Sequence, residues 1–193
     1  MDNLDYADAV LFGQRWEGKA FVGADFTEAD MRGMETVNCT FTDCTFDRTD
    51  LGDSKHRASA FRSCKFDRAV LNGATFDSCT LLGSMFVECS MRPIHLTETD
   101  LTLVGWTGAR VPKIDLTGAR LREANLEGAN LKDATLRDAD LTGARLREAN
   151  LTGADLRGAR LDANSLVAAT LTGARVDLDT AVAFAAAHGL RVG

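Results

Sequence analysis

A repeat of five residues runs through almost the whole of this chain. Counting in fives from Leu11 to Val176 gives 34 positions, and only Thr36 and His56 among them are not large apolar residues. Two residues before each such position stands a small residue, in most units Ala, Cys, Ser or Thr. A period of five matches neither the 3.6-residue period of an α-helix nor the alternation of a half-buried strand. Two positions in five therefore point inward, and the chain turns a corner at each unit.

Several units share one consensus, Ala-(Asp or Asn)-Leu-X-X. They include Ala124-Asn-Leu-Glu-Gly, Ala139-Asp-Leu-Thr-Gly and Ala154-Asp-Leu-Arg-Gly. With these units the chain resembles members of the pentapeptide-repeat family. The resemblance implies an all-β solenoid, a right-handed quadrilateral β-helix with a short C-terminal α-helix, in which four pentapeptides form each coil. Neighbouring coils would be spaced like strands of a sheet, about 4.8 Å apart.

Stacking of every fourth unit predicts the composition of the core. One interior column is expected to contain Phe26, Phe46, Phe66, Phe86 and Trp106. Thr36 and His56 stack in consecutive coils, and the Thr36 hydroxyl is one candidate partner for a buried imidazole. This pair is either a satisfied core contact or a ligand or proton-handling site. The five cysteines occupy the small inward position, which predicts reduced, buried thiols.

The middle of the chain departs from the consensus. Between residues 93 and 114 the small inward position holds Ile94, Val104 and Ile114 in place of Ala, and prolines stand at 93 and 112. These residues predict a widened or bent coil around Trp106, which we interpret as a packing irregularity and not as a binding pocket. His95 is expected to form a surface pair with Asp115, which lies one coil further along the rod.

The repeat divides the chain into three parts. We expect an N-terminal cap at residues 1–8, the pentapeptide-repeat β-helix at 9–178, and a dimerisation helix and tail at 179–193. The segment from Asp177 to Gly189 reads as a capped helix. The resemblance implies a homodimer joined end to end through the C-terminal coil and helix. Its predicted interface comprises Val176, Leu178, Val182, Phe184 and Leu190.

The charge of the chain indicates which class of partner it can bind. The net charge is −6, and residues 1–53 carry 12 Asp or Glu against 4 Lys or Arg. Nucleic-acid affinity depends on clustered Lys and Arg, so we expect no direct nucleic-acid binding and favour a basic protein partner.

The sequence contains no common catalytic motif, and a filled rod offers no cleft. We therefore expect no enzyme, catalytic residue, cofactor or metal. The acidic start and the lack of a long apolar run predict a cytoplasmic protein without membrane contact.

Within the family, a loop-free rod with a C-terminal helix is similar to the mycobacterial quinolone-resistance members. This resemblance implies a protein that binds DNA gyrase, a type II topoisomerase, as a mimic of duplex DNA. The alternative is a non-catalytic interaction scaffold for another basic protein surface. The candidate gyrase-binding carboxylates are, near the centre of the dimer, Asp115, Asp138, Asp140 and Asp155, and, at its tips, Asp30 and Asp50.

Overall fold

The computed structural model describes residues 5–191, which form a parallel β-solenoid, as predicted. The strands are β1 (Arg15–Glu17), β2 (Ala20–Val22), β3 (Glu35–Val37), β4 (Thr40–Thr42), β5 (Lys55–Arg57), β6 (Ala60–Arg62), β7 (Lys65–Asp67), β8 (Thr75–Asp77), β9 (Met85–Val87) and β10 (His95–Thr97). A 3-10 helix, η1 (Ala163–Leu166), and an α-helix, α1 (Leu178–Ala187), follow. One sheet has the order β1-β3-β5-β8-β10, a second β2-β4-β6 and a third β7-β9.

Every pairing joins residues 20 positions apart. Thr36 lies opposite His56 in the β3–β5 pair, and isolated bridges continue this register as far as Asp155 and Arg175. Most corner residues have a positive φ, for example 53° at Asn38. Gly and Asp accept this conformation with little strain, which explains why they recur at that position.

The inward residues form continuous columns. The predicted aromatic column is buried throughout: Phe26, Phe46, Phe66, Phe86 and Trp106. The Phe rings stack with centroids 4.5 to 4.9 Å apart, whereas Trp106 lies edge-on to Phe86 at 6.2 Å. Among the described residues, the indole N–H of Trp106 is buried without a hydrogen-bond partner. The column therefore loses its regular stacking at Trp106.

The solenoid begins earlier than the sequence suggested. Asp5 pairs with Asp25, the Tyr6 N–H donates to the Asp25 carbonyl (2.7 Å), and the Tyr6 ring stacks on Phe26 at 4.9 Å. Residues 5–8 thus belong to the first coil and not to a separate cap, because Tyr6 extends the aromatic column. Residues 1–4 of the expected cap lie outside the described residues. At the other end, α1 begins at Leu178, one residue before the expected boundary.

The regular backbone of the coil is replaced by η1 near the C-terminus, although Leu166 keeps the five-residue frame and stays buried. Asp162 caps η1 by accepting from the Asn164 N–H (2.9 Å), and Ser165 Oγ donates to the Asp162 carbonyl (2.6 Å). Such local side-chain bonds compete with the ladder between coils. Regular bridges resume where Thr170 pairs with Asn150.

The ladder also opens in the middle of the rod. Among the described residues, no backbone hydrogen bond joins 87–98 to 107–117. A cleft of about 700 Å³ lies there, and His95 and Asp115 line it without bonding to each other. The predicted widening is confirmed, but the expectations of a rod without a cleft and of a surface pair at His95 are wrong.

Two features of the sequence explain the opening. Pro93 has no N–H, so it cannot make the bond that Gly33 donates to the Gly52 carbonyl (2.8 Å) at the equivalent position three coils earlier. Ile94 and Ile114 occupy the small inward position on either side of the opening, where neighbouring coils have Ala. Both are buried, and overfilling of a packed column pushes its walls apart.

The buried polar side chains around His56 satisfy one another. Thr36 Oγ1 lies 2.7 Å from His56 Nδ1, and Ser54 Oγ lies 3.0 Å from Nε2. Thr36 Oγ1 also lies 3.1 Å from Ser59 Oγ, and Ser54 Oγ donates to the Leu51 carbonyl (2.7 Å), so each ring nitrogen has a hydroxyl partner within a larger buried network. Burial lowers the pKa of His56 to about 3. His56 is thus a neutral core residue, and the described pockets lie elsewhere.

Protonation of His56 should make the stability of the fold depend on pH. The unfolded imidazole has a pKa of about 6.5, so between that value and about 3 the unfolded state binds more protons. The stability that the fold gains from neutral His56 is complete above about pH 6.5 and is lost as the pH falls toward the folded-state pKa of about 3. From about pH 7.5 to about pH 5 it should lower the free energy of unfolding by about 2 kcal/mol, measured by urea denaturation. His56→Phe should abolish this part of the decrease; equal decreases in both proteins would contradict the assignment.

The leucine columns should be equally sensitive to loss of volume. Leu146 is 1% exposed, and Leu146→Ala should reduce the free energy of unfolding by about 2 to 5 kcal/mol, because it leaves a cavity in a packed column. The neighbouring Arg145 points outward, and Arg145→Ala should change stability by less than about 0.5 kcal/mol. Similar values for the two variants in urea denaturation would show that Leu146 is not part of the core.

Candidate functional site

The outward residues lie on four faces of the rod. We name each face after the inward residue at its centre in one early coil: the Phe26, Met31, Thr36 and Phe41 faces. Residues 20 apart share a face, as the bridges along the rod show.

The six predicted carboxylates lie on three different faces. Asp115, Asp138 and Asp155 lie on the Thr36 face, Asp140 lies on the Phe41 face, and Asp30 and Asp50 lie on the Met31 face. The structure therefore does not gather all of them into a single surface. The Thr36 face brings together the largest group.

Asp155 is closely bound to arginine. Its carboxylate accepts from Arg157 Nη2 at 2.6 Å and from Arg157 Nε at 2.8 Å, and Arg137 lies 3.7 Å away. These hydrogen bonds from Arg157 hold the pKa of the carboxyl well below its usual range. A partner that used Asp155 would have to share it with two guanidinium groups.

Three other candidates are also paired. Arg32 binds Asp30 at 2.7 Å and lies 3.8 Å from Asp50, and its hydrogen bond lowers the pKa of Asp30. Asp140 accepts from the hydroxyl of Thr142 at 2.6 Å, which lowers the pKa of Asp140, and it lies 3.5 Å from Arg122. The formal charge thus overstates the negative charge that these groups present.

Asp115 and Asp138 differ from the other four. Neither takes part in an ion pair among the described residues. Asp115 accepts from the N–H and the hydroxyl of Thr117, at 3.0 and 2.6 Å. Asp138 stands at a corner with φ 58°, and its carboxylate lies over Gly158, where an added Cβ would collide with it. Their negative charge is available to a partner.

A further acidic surface was missed by the sequence analysis. The outward positions of the Phe26 face include Asp5, Asp8, Asp25, Glu28, Asp47, Asp67, Glu88, Glu127 and Glu148, against Arg48, Lys65, Arg68, Arg145 and Arg147. Ion pairs join some of them, such as Lys65 to Asp47 at 2.7 Å. Summing charges along 20-residue columns, and not along the chain, would have found this face.

The C-terminal helix and the residues that follow it expose large apolar side chains. Leu178, Val182 and Leu190 are 78%, 39% and 63% exposed. Phe184 and Val176 are partly buried against the core, and the Phe184 ring lies 4.2 Å from that of His188. Of the predicted interface residues, three are therefore open to a partner and two already pack within the chain.

Among the described residues, no group of three His, Cys, Asp or Glu side chains could hold a metal ion. Within residues 5–191, α1 is too short to cross a bilayer.

Comparison with known proteins gives matches along most of the chain. The model of the pentapeptide repeat region matches residues 59–131, and the model of pentapeptide repeats in eight copies matches residues 21–55 and 139–176. Pentapeptide repeat protein MfpA of Mycobacterium tuberculosis is 47% identical over 58 residues, 30% of this chain and 32% of the relative. MfpA of Mycolicibacterium smegmatis is 45% identical over 56 residues, 29% of each chain. The aligned part spans about a third of these relatives.

Among solved structures, trypsin-treated QnrB1, a plasmid-mediated fluoroquinolone resistance protein, superposes with a TM-score of 0.83. The superposition covers 98% of this chain and 96% of QnrB1, at 23% sequence identity. This likeness concerns the fold alone.

Proposed function

Because the chain belongs to the pentapeptide-repeat family, we propose that it is a quinolone-resistance protein that binds DNA gyrase in place of duplex DNA. It would act in the cytoplasm as a non-catalytic rod whose carboxylates take the positions of DNA phosphates. The observation that most favours this function is the 47% identity to MfpA over 58 residues. The shared fold with a fluoroquinolone resistance protein is consistent with it.

Electrostatics supports a basic partner. The chain carries a net charge of −6, and a surface of opposite sign attracts it over roughly a Debye length of 8 Å at physiological ionic strength. Asp115 and Asp138 are the candidates that can accept arginine or lysine from gyrase without first releasing one of their own. We assign them the leading role, with Asp140 and Asp155 beside them.

The proposed active form is a homodimer joined through α1 and the last coil. Leu178, Val182 and Leu190 leave apolar area exposed at this end, where a second copy would cover it. Such a dimer places residues 115–155 near its middle and Asp30 and Asp50 toward its tips. A duplex-binding surface of gyrase would then meet the central carboxylates first.

Removing the two unpaired central charges should weaken gyrase binding. The double variant Asp115→Asn, Asp138→Asn keeps the acceptor for Thr117 and keeps a residue that tolerates positive φ, but it loses two negative charges per protomer. Its affinity for purified gyrase, measured by biolayer interferometry with duplex DNA as competitor, should fall by about tenfold. Binding of the unaltered protein should also weaken as salt rises.

The matched control changes the same charge at the tips. Asp30→Asn with Asp50→Asn should reduce the affinity by less than about twofold. If neither pair changes the affinity and binding persists at high salt, the scaffold alternative replaces the DNA-mimic mechanism. Failure of the unaltered dimer to bind gyrase would exclude gyrase as the partner.

The dimer should depend on the exposed part of α1. Val182→Glu with Leu190→Glu introduces charges into the proposed interface and spares Phe184, so the rod should stay folded and become a monomer. Multi-angle light scattering gives the mass, and circular dichroism reports the fold. Lys132→Glu, at an exposed position two coils before the last one, should leave the dimer intact. A dimer in both variants would contradict the interface.

A further inference from the structure

The cleft in the middle of the rod has two open sheet edges. The carbonyl of Asp115 and the N–H of Leu96 lie on opposite sides of it, at positions where a regular coil contact would join them. The corresponding bond one coil later, from the Leu116 N–H to the Thr135 carbonyl, is 2.8 Å long. Within the described chain, β10 is the last strand of its five-stranded sheet. Unpaired strand edges of this kind are templates for another extended chain.

The interior of the cleft is apolar and large enough for a ligand. Its volume of about 700 Å³ lies within the usual range of binding pockets, and Met91, Ile94, Leu96, Val111 and Ile114 line it. Leu96, unlike Leu116, is only partly buried. A strand placed here would cover Leu96 with every second side chain and expose the others.

The rim next to the Met31 face is basic in an acidic protein. Arg92 and Lys113 line the cleft at this end and Arg110 lies beside it, whereas Glu98 and Asp115 line the cleft on the Thr36 face. None of the three forms an ion pair within the described chain; Arg92 Nε donates to the Arg110 carbonyl at 2.9 Å. Carboxylates on the ligand would therefore find unpaired cations at this end.

We propose that this cleft binds an extended acidic segment of a partner protein, which adds as a strand to the free edge of β10 and places carboxylates against Arg92 and Lys113. The site goes beyond the proposed function, because it uses basic residues and backbone groups in the cleft, whereas gyrase docking uses carboxylates. Asp115, which lines the cleft, borders both surfaces, and Asp138 does not line it. The acidic character of the segment follows from the rim, and its extended form follows from the unpaired edges.

A fluorescein-labelled peptide that alternates Glu and Val is a suitable probe. Fluorescence anisotropy should show saturable binding to the full chain, and hydrogen exchange should show protection of the Leu96 and Asp115 amides. Lys113→Glu should weaken binding by about tenfold, and Arg92→Glu should have a similar effect. Lys132→Glu makes the same change outside the cleft and should weaken binding by less than about twofold.

Two control peptides test the mode of binding. A peptide that alternates Lys and Val should bind much more weakly, and a Glu-Val peptide with N-methylated backbone amides should not bind. Equal binding of the Lys-Val peptide, equal loss in the Lys132 variant, or protection of amides elsewhere would overturn the proposal. So would absence of binding, or self-association of the protein that occupies the cleft and is seen by light scattering. Each variant is first checked for an unchanged unfolding midpoint, and Arg92 and Lys113 provide independent tests.

Discussion

The backbone hydrogen bonds from each coil to the next hold every other feature of this molecule in position. They place residues 20 apart directly over one another, as in the bond from the Leu71 N–H to the Ser90 carbonyl at 2.7 Å. The same ladder stacks Phe rings inside and aligns charged side chains outside. Where it is missing, between residues 87–98 and 107–117, His95 and Asp115 stay apart and strand edges are open.

Inside the rod, each inward side chain must fit the side chains that stack on it in the adjacent coils. A ring fits between rings, as Phe46 does between Phe26 and Phe66. His56 fits because Thr36 lies below it and Ser54 lies beside it, and these hydroxyls bind both ring nitrogens of the neutral form. Burial removes water from the ring and so disfavours a charged imidazole, which is why the pKa of His56 is lowered so far.

Outside the rod, the pairing of charges decides what a partner can recognise. Arginine two residues along the chain neutralises Asp30 and Asp155, whereas Asp115 and Asp138 lack such a partner in the described chain. A DNA mimic must present negative charge, so the unpaired carboxylates define the surface more than the total charge does. In the middle of the same rod, one end of the cleft presents cations, and its edges present unpaired backbone groups.

The sequence by itself determined which residues point inward, because the five-residue period does this whatever the coils do elsewhere. It thus identified the fold, the column from Phe26 to Trp106 and the disturbance near Ile94 and Ile114. It did not determine the cleft, since oversized residues can be accommodated by bending, by repacking or by separation of coils, and the surrounding hydrogen bonds decide among these. Nor did it show η1 or the pairing of Asp155, because capping bonds and arginine side-chain positions depend on groups that only the folded coils bring within reach.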